Sequence, residues 1–223
     1  MSDILFTRFT SETVLAKVIS KGADGSLSKK ASAQFYAGSF ETVRVPVESP
    51  GTAPRLVSVL QTFTRHQALS PSLSLGAESG KITTEARPLP HAVTRTKKNF
   101  GYRPDELGLL VLDYDPPKGS TPLTPDELKH RLFTIWPEAA RGIVVHWFSG
   151  SSLIFDGDKQ LAPATGQRMY VALNSQAAIP ETIKALNKLA WLMGLGGHVH
   201  ISKIGSLLVR GLFDSAMADA GGR

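Results

Sequence analysis

Apolar and polar residues along the first eighty positions form patterns typical of short strands and one helix. The segment 41–47 (ETVRVPV) alternates polar and apolar residues, as expected of a strand with one buried face. In 53–69 the apolar residues recur every three or four positions, a spacing that predicts a helix. The segment 70–81 is mostly polar and predicts a loop.

The second half of the chain has a more regular order of patterns. The Val- and Leu-rich run 108–112 predicts a strand buried on both faces, stopped by Pro116 and Pro117. Thr124 is the predicted N-cap of the next helix, with Glu127 at its capping-box position. The further elements are that helix to about residue 135, strands at 142–152 and 167–174, a helix at 180–197, and strands at 198–202 and 206–214. This order predicts an α/β or α+β sheet with packed helices.

Two carboxylates close the buried strand. Asp113 and Asp115 are two positions apart, so on a strand their side chains share a face and repel each other. Because Mg²⁺ prefers carboxylate ligands, the pair is a candidate metal site. The alternative interpretation is that the two aspartates only form a turn ahead of the prolines. Asp214 ends another apolar run and is a candidate third ligand. Three such acids could hold the two cations of a phosphoryl-transfer site.

Composition restricts the class of protein. The 223 residues, 42% of them apolar, suffice for one large or two small domains. The absence of cysteine excludes thiolate zinc sites and disulfides and suits a reducing compartment, so a cytoplasmic location is expected. No apolar run is long enough for a membrane span. The net charge of +6 fits a polyanionic partner such as nucleic acid or nucleotide phosphate.

Further motifs leave alternatives open. His198 and His200 are placed like the metal ligands of nicking enzymes, but every tyrosine lies upstream of them, and a role as polar residues at a sheet edge is the alternative. The segment 148–153 (FSGSSL) can form an anion-binding nest or a flexible loop without ligand. Arg168 and Arg210 fall in predicted strands, where each must be exposed or paired with an anion.

Several of these segments together resemble one family. They are AVTRTKKNF, LLVLDYDPP, HWFSGSS, GQRMYVAL, LAWLMGLGG and SKIGSLLVRGLFD. In this order the chain resembles, over about residues 10–217, the catalytic domain of archaeo-eukaryotic-type primases, in the branch found in phages, plasmids and integrative elements. The segment SKIGSLLVR, followed by an aspartate, is the more specific part of the match, whereas the acidic pair alone is weak.

The resemblance implies an α+β fold, with an RRM-like primase sheet and packed helices over residues 91–223 and an N-terminal α/β unit over 1–90. The two units are expected to form one compact domain. It also implies roles for individual residues. The metal ligands for Mg²⁺ or Mn²⁺ would be Asp113, Asp115 and Asp214, and the nucleotide phosphates would contact Ser149, Ser151, Arg168, Lys203, Arg210 and Arg95.

The function implied is a DNA primase or polymerase that starts or extends strands on single-stranded DNA of a mobile element from nucleoside triphosphates, with a replicative helicase as a possible partner.

Two features depart from the family. Arg168 stands where the family has a histidine, and the chain stops at DAGGR, where relatives usually continue, which favours a shortened chain or a natural fragment. These departures motivate an alternative, a nucleic-acid-binding or replication-initiation module with weakened catalysis. A nicking endonuclease is the third hypothesis.

Overall fold

The fold is described from a computed structural model. It describes residues 2–31, 35, 37–48, 50–117, 119–150, 152–202 and 204–220. Two of the predicted phosphate contacts, Ser151 and Lys203, lie outside the described residues.

Strands outnumber helices in the described part of the chain. The strands are β1 Asp3–Ser11, β2 Lys17–Lys21, β3 Leu27–Ala31, β4 Ala37–Pro46, β5 Gln67–Ser70, β6 Leu73–Ser74, β7 Ser79–Thr83, β8 Val93–Thr94, β9 Phe100–Gly101, β10 Leu107–Tyr114, β11 Val144–Phe148, β12 Ile154–Asp156, β13 Lys159–Ala162, β14 Gln167–Leu173, β15 His198–Ile201 and β16 Leu207–Arg210. The α-helices are α1 Thr52–Gln61, α2 Pro125–Ile135 and α3 Ile179–Leu192. Short 3₁₀ helices cover Pro137–Arg141, Gln176–Ala178 and Ser215–Ala218.

One eight-stranded sheet forms the centre of the protein. Its order is β11-β14-β10-β1-β4-β7-β8, with β5 also pairing with β1. Strands from both predicted units therefore lie in the same sheet, and the boundary at residue 90 stays a prediction. Four two-stranded sheets surround it, formed by β2 with β3, β6 with β9, β12 with β13, and β15 with β16.

The strand β1 has different neighbours along one of its edges. It pairs with β10 in parallel at Ile4 and Leu5, and with β5 in the antiparallel direction from Thr7 to Thr10. The opposite edge of β1 pairs with β4 along its whole length. Because β5 replaces β10 beside β1, the sheet separates on this side, and the far end of β10 accepts a hydrogen bond from the Asp214 N–H at Asp113 instead of pairing with β1.

The two faces of the sheet carry different helices, as the period of two along β10 requires. Leu110 and Leu112 pack with residues of α2 and α3 in one hydrophobic cluster. Leu109 and Val111 point to the opposite face and pack with residues of α1. The coarse prediction of a mixed α+β fold with helices on a sheet is confirmed. Asp113, two positions after Val111, lies on the α1 face.

The predicted capping box of α2 is confirmed, since the Thr124 hydroxyl accepts from the Glu127 N–H and the Glu127 side chain accepts from the Thr124 N–H. The helix predicted over 53–69 ends at Gln61, because Gln67–Ser70 pairs with β1 instead. The segment 70–81 is not a simple loop, since it contains β6 and the start of β7.

The strand predicted over 206–214 was too long. β16 ends at Arg210, and its side chains are exposed although its sequence is apolar. The residues that follow, Leu212 and Phe213, are buried against α3 and β10. In the described part of the chain, no helix combines the length and apolar character that a membrane crossing requires.

Candidate active site

A cleft of about 610 Å³ opens on the α1 face of the sheet, beside the separation between β5 and β10. Its lining includes residues of six strands (β1, β2, β5, β10, β11 and β14), of α1 and of the loops between them. The polar and charged lining residues used below are Lys17, Arg65, Arg95, Asp113, Ser149, Arg168, Tyr170 and Asp214. The sheet register brings these residues together from distant parts of the sequence.

Asp113 forms an ion pair with Arg168 in this cleft. The two residues are direct partners across the antiparallel pair β10–β14, and Arg168 Nε donates to Asp113 Oδ1 over 2.8 Å. The Asp113 side chain is only 14% exposed. Burial lowers the pKa of Arg168, but the charge and hydrogen bond of Asp113 and a hydrogen bond with Tyr170 raise it by more, so the guanidinium stays charged.

Asp214 reaches the same cleft from the other end of the described chain. Its backbone N–H donates to the Asp113 carbonyl oxygen over 2.8 Å. The preceding residue, Phe213, is fixed by Asn187 of α3, whose amide donates to the Phe213 carbonyl oxygen and accepts from the Phe213 N–H, both over 2.9 Å. The Asp214 carboxylate accepts from the Ala216 N–H and caps the short helix Ser215–Ala218.

Asp115 lies just beyond the end of β10. Burial raises its pKa above the ordinary value of 3.8, and the negative charges of Asp113 and Asp214 raise it further, against the opposing effect of Lys17 and Arg168. An acid whose pKa responds to both of the other acids lies within their electrostatic field. Asp113 and Asp214 line the cleft, whereas Asp115 is exposed, two positions after Asp113, and is not among the residues that line it. Like charges near one another are a setting in which a bound cation relieves repulsion.

The predicted serine loop lies beside Asp115. The Ser149 N–H donates to the Gly166 carbonyl oxygen over 3.0 Å, and the Ser149 and Ser152 hydroxyls are 3.1 Å apart. A Cβ atom placed on Gly166 would be 2.6 Å from Ser149 Oγ and 2.9 Å from Asp115 Oδ1. Glycine at this position therefore allows the loop hydroxyl and the carboxylate to approach the same backbone.

Arg95 is held in the cleft by aromatic rings. Its guanidinium carbon is 5.0 Å from the centre of the Phe9 ring and 5.3 Å from the centre of the Phe35 ring. Burial lowers the pKa of Arg95. Such stacking fixes the plane of a guanidinium while leaving its N–H groups at the plane's edge. The predicted phosphate contact thus lies in the same cleft as Asp113.

Two basic residues of the cleft were not predicted. Lys17, at the start of β2, lowers the pKa of Asp115, and Arg65 follows α1. Both line the cleft and belong to the first ninety residues. No local motif distinguishes either residue from other surface lysines and arginines, because only the pairing of β5 with β1 brings this part of the chain to β10.

Other predicted residues lie outside the main cleft. Arg210 is exposed on β16 and lines a neighbouring groove of about 590 Å³ that also includes Asp214. His198 and His200 lie on β15, which pairs only with β16 in the sheets described. A nicking reaction also requires a nucleophilic tyrosine that DNA can reach, and Tyr114 and Tyr170 are buried. Nothing in this arrangement favours the nicking hypothesis.

Within the described ranges, no three His, Cys, Asp or Glu side chains are grouped so that they could hold a metal ion by themselves. Mg²⁺ in nucleotide sites is usually bound by one or two carboxylates together with substrate phosphates and water. The donor chemistry of Asp113, Asp115 and Asp214 fits that kind of shared site, with one carboxylate engaged by Arg168.

Comparison with known proteins adds no family to this description. No protein-family model, no curated protein and no solved structure matches the chain.

Proposed function

We propose that the protein is a metal-dependent nucleotidyltransferase of the DNA primase–polymerase type, which starts or extends strands on single-stranded DNA of a mobile element such as a phage or plasmid. The observation that carries the proposal is the backbone link between Asp113 and Asp214 in a cleft that Arg168 and Arg95 also line, with Asp115 two positions after Asp113. Acids for cations and arginines for phosphates are the two ligand types that a nucleoside triphosphate requires.

The strand order supports the RRM-like part of the proposal. β10 and β11 are both antiparallel to β14, which lies between them, and α2 connects the two outer strands. This is the arrangement of the first three strands of a βαββαβ unit. After α3 the chain returns to β10, where Asp214 donates to Asp113 on the side away from β14.

The residues of the cleft suggest a division of roles. Asp113, Asp115 and Asp214 would hold Mg²⁺ or Mn²⁺, which when bound neutralises the triphosphate and polarises the reacting oxygens. Arg95, held against the neighbouring rings of Phe9 and Phe35, and the Ser149 loop would orient phosphate oxygens. Orientation and charge stabilisation account for most of the rate in phosphoryl transfer, so rigid placement of these donors is the main requirement.

Primer synthesis and primer extension on single-stranded DNA test the proposal. The wild-type chain, with labelled nucleoside triphosphates and Mn²⁺ or Mg²⁺, is compared with the double variant Asp113→Ala/Asp115→Ala. We expect product from the wild type and a loss of at least about a hundredfold in the variant, the order of effect seen when charge stabilisation is removed.

The matched control removes two carboxylates away from the cleft. Asp105→Ala/Asp158→Ala changes the net charge equally, at exposed positions, and is expected to keep wild-type activity. Equal product from the wild type and the Asp113/Asp115 variant, or no metal-dependent incorporation in either, contradicts the proposal.

The Asp113–Arg168 ion pair favours a second candidate. A carboxylate already neutralised by arginine suits a module that binds nucleic acid or takes part in replication initiation without turnover. This candidate predicts salt-sensitive binding of single-stranded DNA that is unchanged in Asp113→Ala/Asp115→Ala, with no nucleotide incorporation. Electrophoretic mobility shifts at several salt concentrations, run beside the primer assay, distinguish the two. A replicative helicase partner remains part of the proposal in either case.

A further inference from the structure

We infer that Arg168 couples the binding of divalent cations in this cleft to the binding of the triphosphate, because it occupies Asp113 until phosphate oxygens draw it away. The inference rests on the proposed function for the identity of the two ligands. It goes further in assigning to Arg168 the control of when the acids become available to a cation.

The ion pair is fixed by the fold rather than by chance contact of two long side chains. Asp113 and Arg168 are register partners in the middle strands β10 and β14 of the sheet, so their Cα atoms cannot separate without breaking the sheet. Tyr170, a buried residue two positions along on the same face, lines the cleft beside Arg168. In the absence of ligand, the guanidinium is therefore held at Asp113.

The two partners differ in exposure. The Asp113 side chain is 14% exposed, and the Arg168 side chain is 40% exposed towards the cleft. A buried carboxylate that loses its cation is strongly disfavoured, so Asp113 requires either Arg168 or another cation. Arg168 is the partner with room to move, since its exposed N–H groups border the cleft.

A divalent ion that approaches Asp113 meets the positive charge of Arg168 at short range. This repulsion weakens cation binding to the empty cleft. A triphosphate changes the balance, because its oxygens offer the forked guanidinium an alternative bidentate partner. Cation and triphosphate then bind with positive coupling, and linkage requires that each raises the affinity of the other by the same factor.

Mn²⁺ binding, measured without turnover, tests the inference. Free Mn²⁺ is quantified by electron paramagnetic resonance for the wild type and for Arg168→Gln, with and without a non-hydrolysable nucleoside triphosphate analogue. Without nucleotide, we expect Arg168→Gln to bind Mn²⁺ at least about tenfold more tightly than the wild type. With nucleotide, we expect the wild type to gain affinity beyond that of Mn²⁺ bound to the analogue alone, and the variant to gain little.

Two further variants separate the specific effect from a general change of charge. Arg65→Gln removes a positive charge from the same cleft, at a residue that forms no ion pair with Asp113, and is expected to change Mn²⁺ affinity by less than about threefold. Asp113→Asn/Arg168→Gln removes both partners and is expected to lose the gain shown by Arg168→Gln. Circular dichroism melts confirm that each variant is folded before titration.

An unchanged or weaker Mn²⁺ affinity in Arg168→Gln, or an equal gain in Arg65→Gln, overturns the inference. If Arg168→Gln does not fold, Arg168→Lys supplies the test. Lysine keeps the charge but not the fork, so weak Mn²⁺ binding is expected to remain while the coupling to the analogue falls, and full coupling overturns the inference. Absence of DNA synthesis in the primer assay is a separate failure, because cation binding is measured without any reaction.

Discussion

Asp214 donates its backbone N–H to the backbone carbonyl oxygen of Asp113, so two acids from distant parts of the sequence are joined through the main chain. Their relative position is thus independent of the rotamers of the two carboxylates. In a cation site that used both carboxylates, this hydrogen bond would fix the backbone positions of the two ligands.

Asn187 is expected to be a positioning residue for Asp214. Its side chain satisfies both backbone groups of Phe213, the residue before Asp214. Asn187→Ala leaves a partly buried N–H and C=O without this partner, which costs about 1–3 kcal/mol of unfolding free energy. We expect DNA synthesis to fall at least about tenfold at a temperature where the variant is folded, as checked by urea unfolding and the primer assay.

Lys188→Ala, at the next and exposed position of α3, is the control for Asn187→Ala. It is expected to leave stability and synthesis near the wild-type values. Full synthesis by folded Asn187→Ala would show that Asp214 does not need this support.

Gly166→Ala is expected to impair the cleft more than the fold. The added methyl group meets Ser149 Oγ, Asp115 Oδ1 and Ser149 Cβ, which are side-chain rather than backbone atoms. We therefore expect a melting temperature within about 2 °C of the wild type, since small displacements of surface groups cost little. Nucleotide incorporation is expected to fall about tenfold or more, because ångström-scale misplacement of positioning groups is costly.

Gly150→Ala provides the comparison in the same loop, since a Cβ atom there meets nothing within 4 Å. It is expected to retain incorporation. Similar losses in both glycine variants would point to loop rigidity rather than to the contact with Asp115.

Asp115→Asn is expected to stabilise the protein at neutral pH. The pKa of Asp115 is raised in the folded state by burial and by Asp113 and Asp214, so its carboxylate form favours unfolding. The contribution of Asp115 to the free energy of unfolding should fall as the pH rises from the ordinary pKa of 3.8 to the raised value, and stay lower above it. The asparagine side chain of Asp115→Asn does not ionise, so the variant does not lose this free energy of unfolding. Solvent screening keeps the gain small.

Thermal melts across acidic and neutral pH measure this effect. The advantage of Asp115→Asn should vanish below about pH 3.8, where the carboxyl is protonated in both states. Asp158→Asn, on the exposed turn between β12 and β13, is the matched substitution. An equal gain in both, or a gain that persists at low pH, would contradict the assignment.

Thr124→Ala should destabilise α2 without affecting the cleft. The substitution removes the hydroxyl that accepts from the Glu127 N–H, and loss of such a cap costs about 1 kcal/mol. For a chain of this size the melting temperature should fall by about 2–4 °C. Thr134→Ala, at an exposed site in the same helix, is expected to change it less, and DNA synthesis at low temperature should be unaffected by either.

Local chemistry allowed part of the fold to be predicted. The capping box at Thr124 and Glu127 is a short-range pattern that specifies a helix start by itself, and it was confirmed. The end of α1 could not be predicted, because apolar spacing continues to Phe63 while Gln67–Ser70 pairs with a strand near the start of the chain. Long-range pairing of this kind leaves no trace in a local window.

The same distinction applies to the candidate site. Asp113 and Asp115 could be predicted because two acids after a buried strand form a local signal. The partner of Arg168 could not be identified, because the register of β10 against β14 decides it. Arg210 was expected in an apolar strand, but among the described strands β16 pairs only with β15, and the Arg210 side chain is exposed. No local sequence pattern distinguishes Lys17 or Arg65 as a residue of the cleft.

The central place of β1 has a consequence for how the chain is made. During synthesis this strand leaves the ribosome before its partners, and β4 and β5 are made before the residues between Ser70 and Leu107 have been added. The edge of β1 at Ile4 and Leu5 stays unpaired until Leu107 and Gly108 of β10 have been made. A nascent chain therefore carries an incomplete, apolar sheet edge for several seconds at ordinary translation rates, a period in which chaperone binding or premature self-association would decide the yield of folded protein.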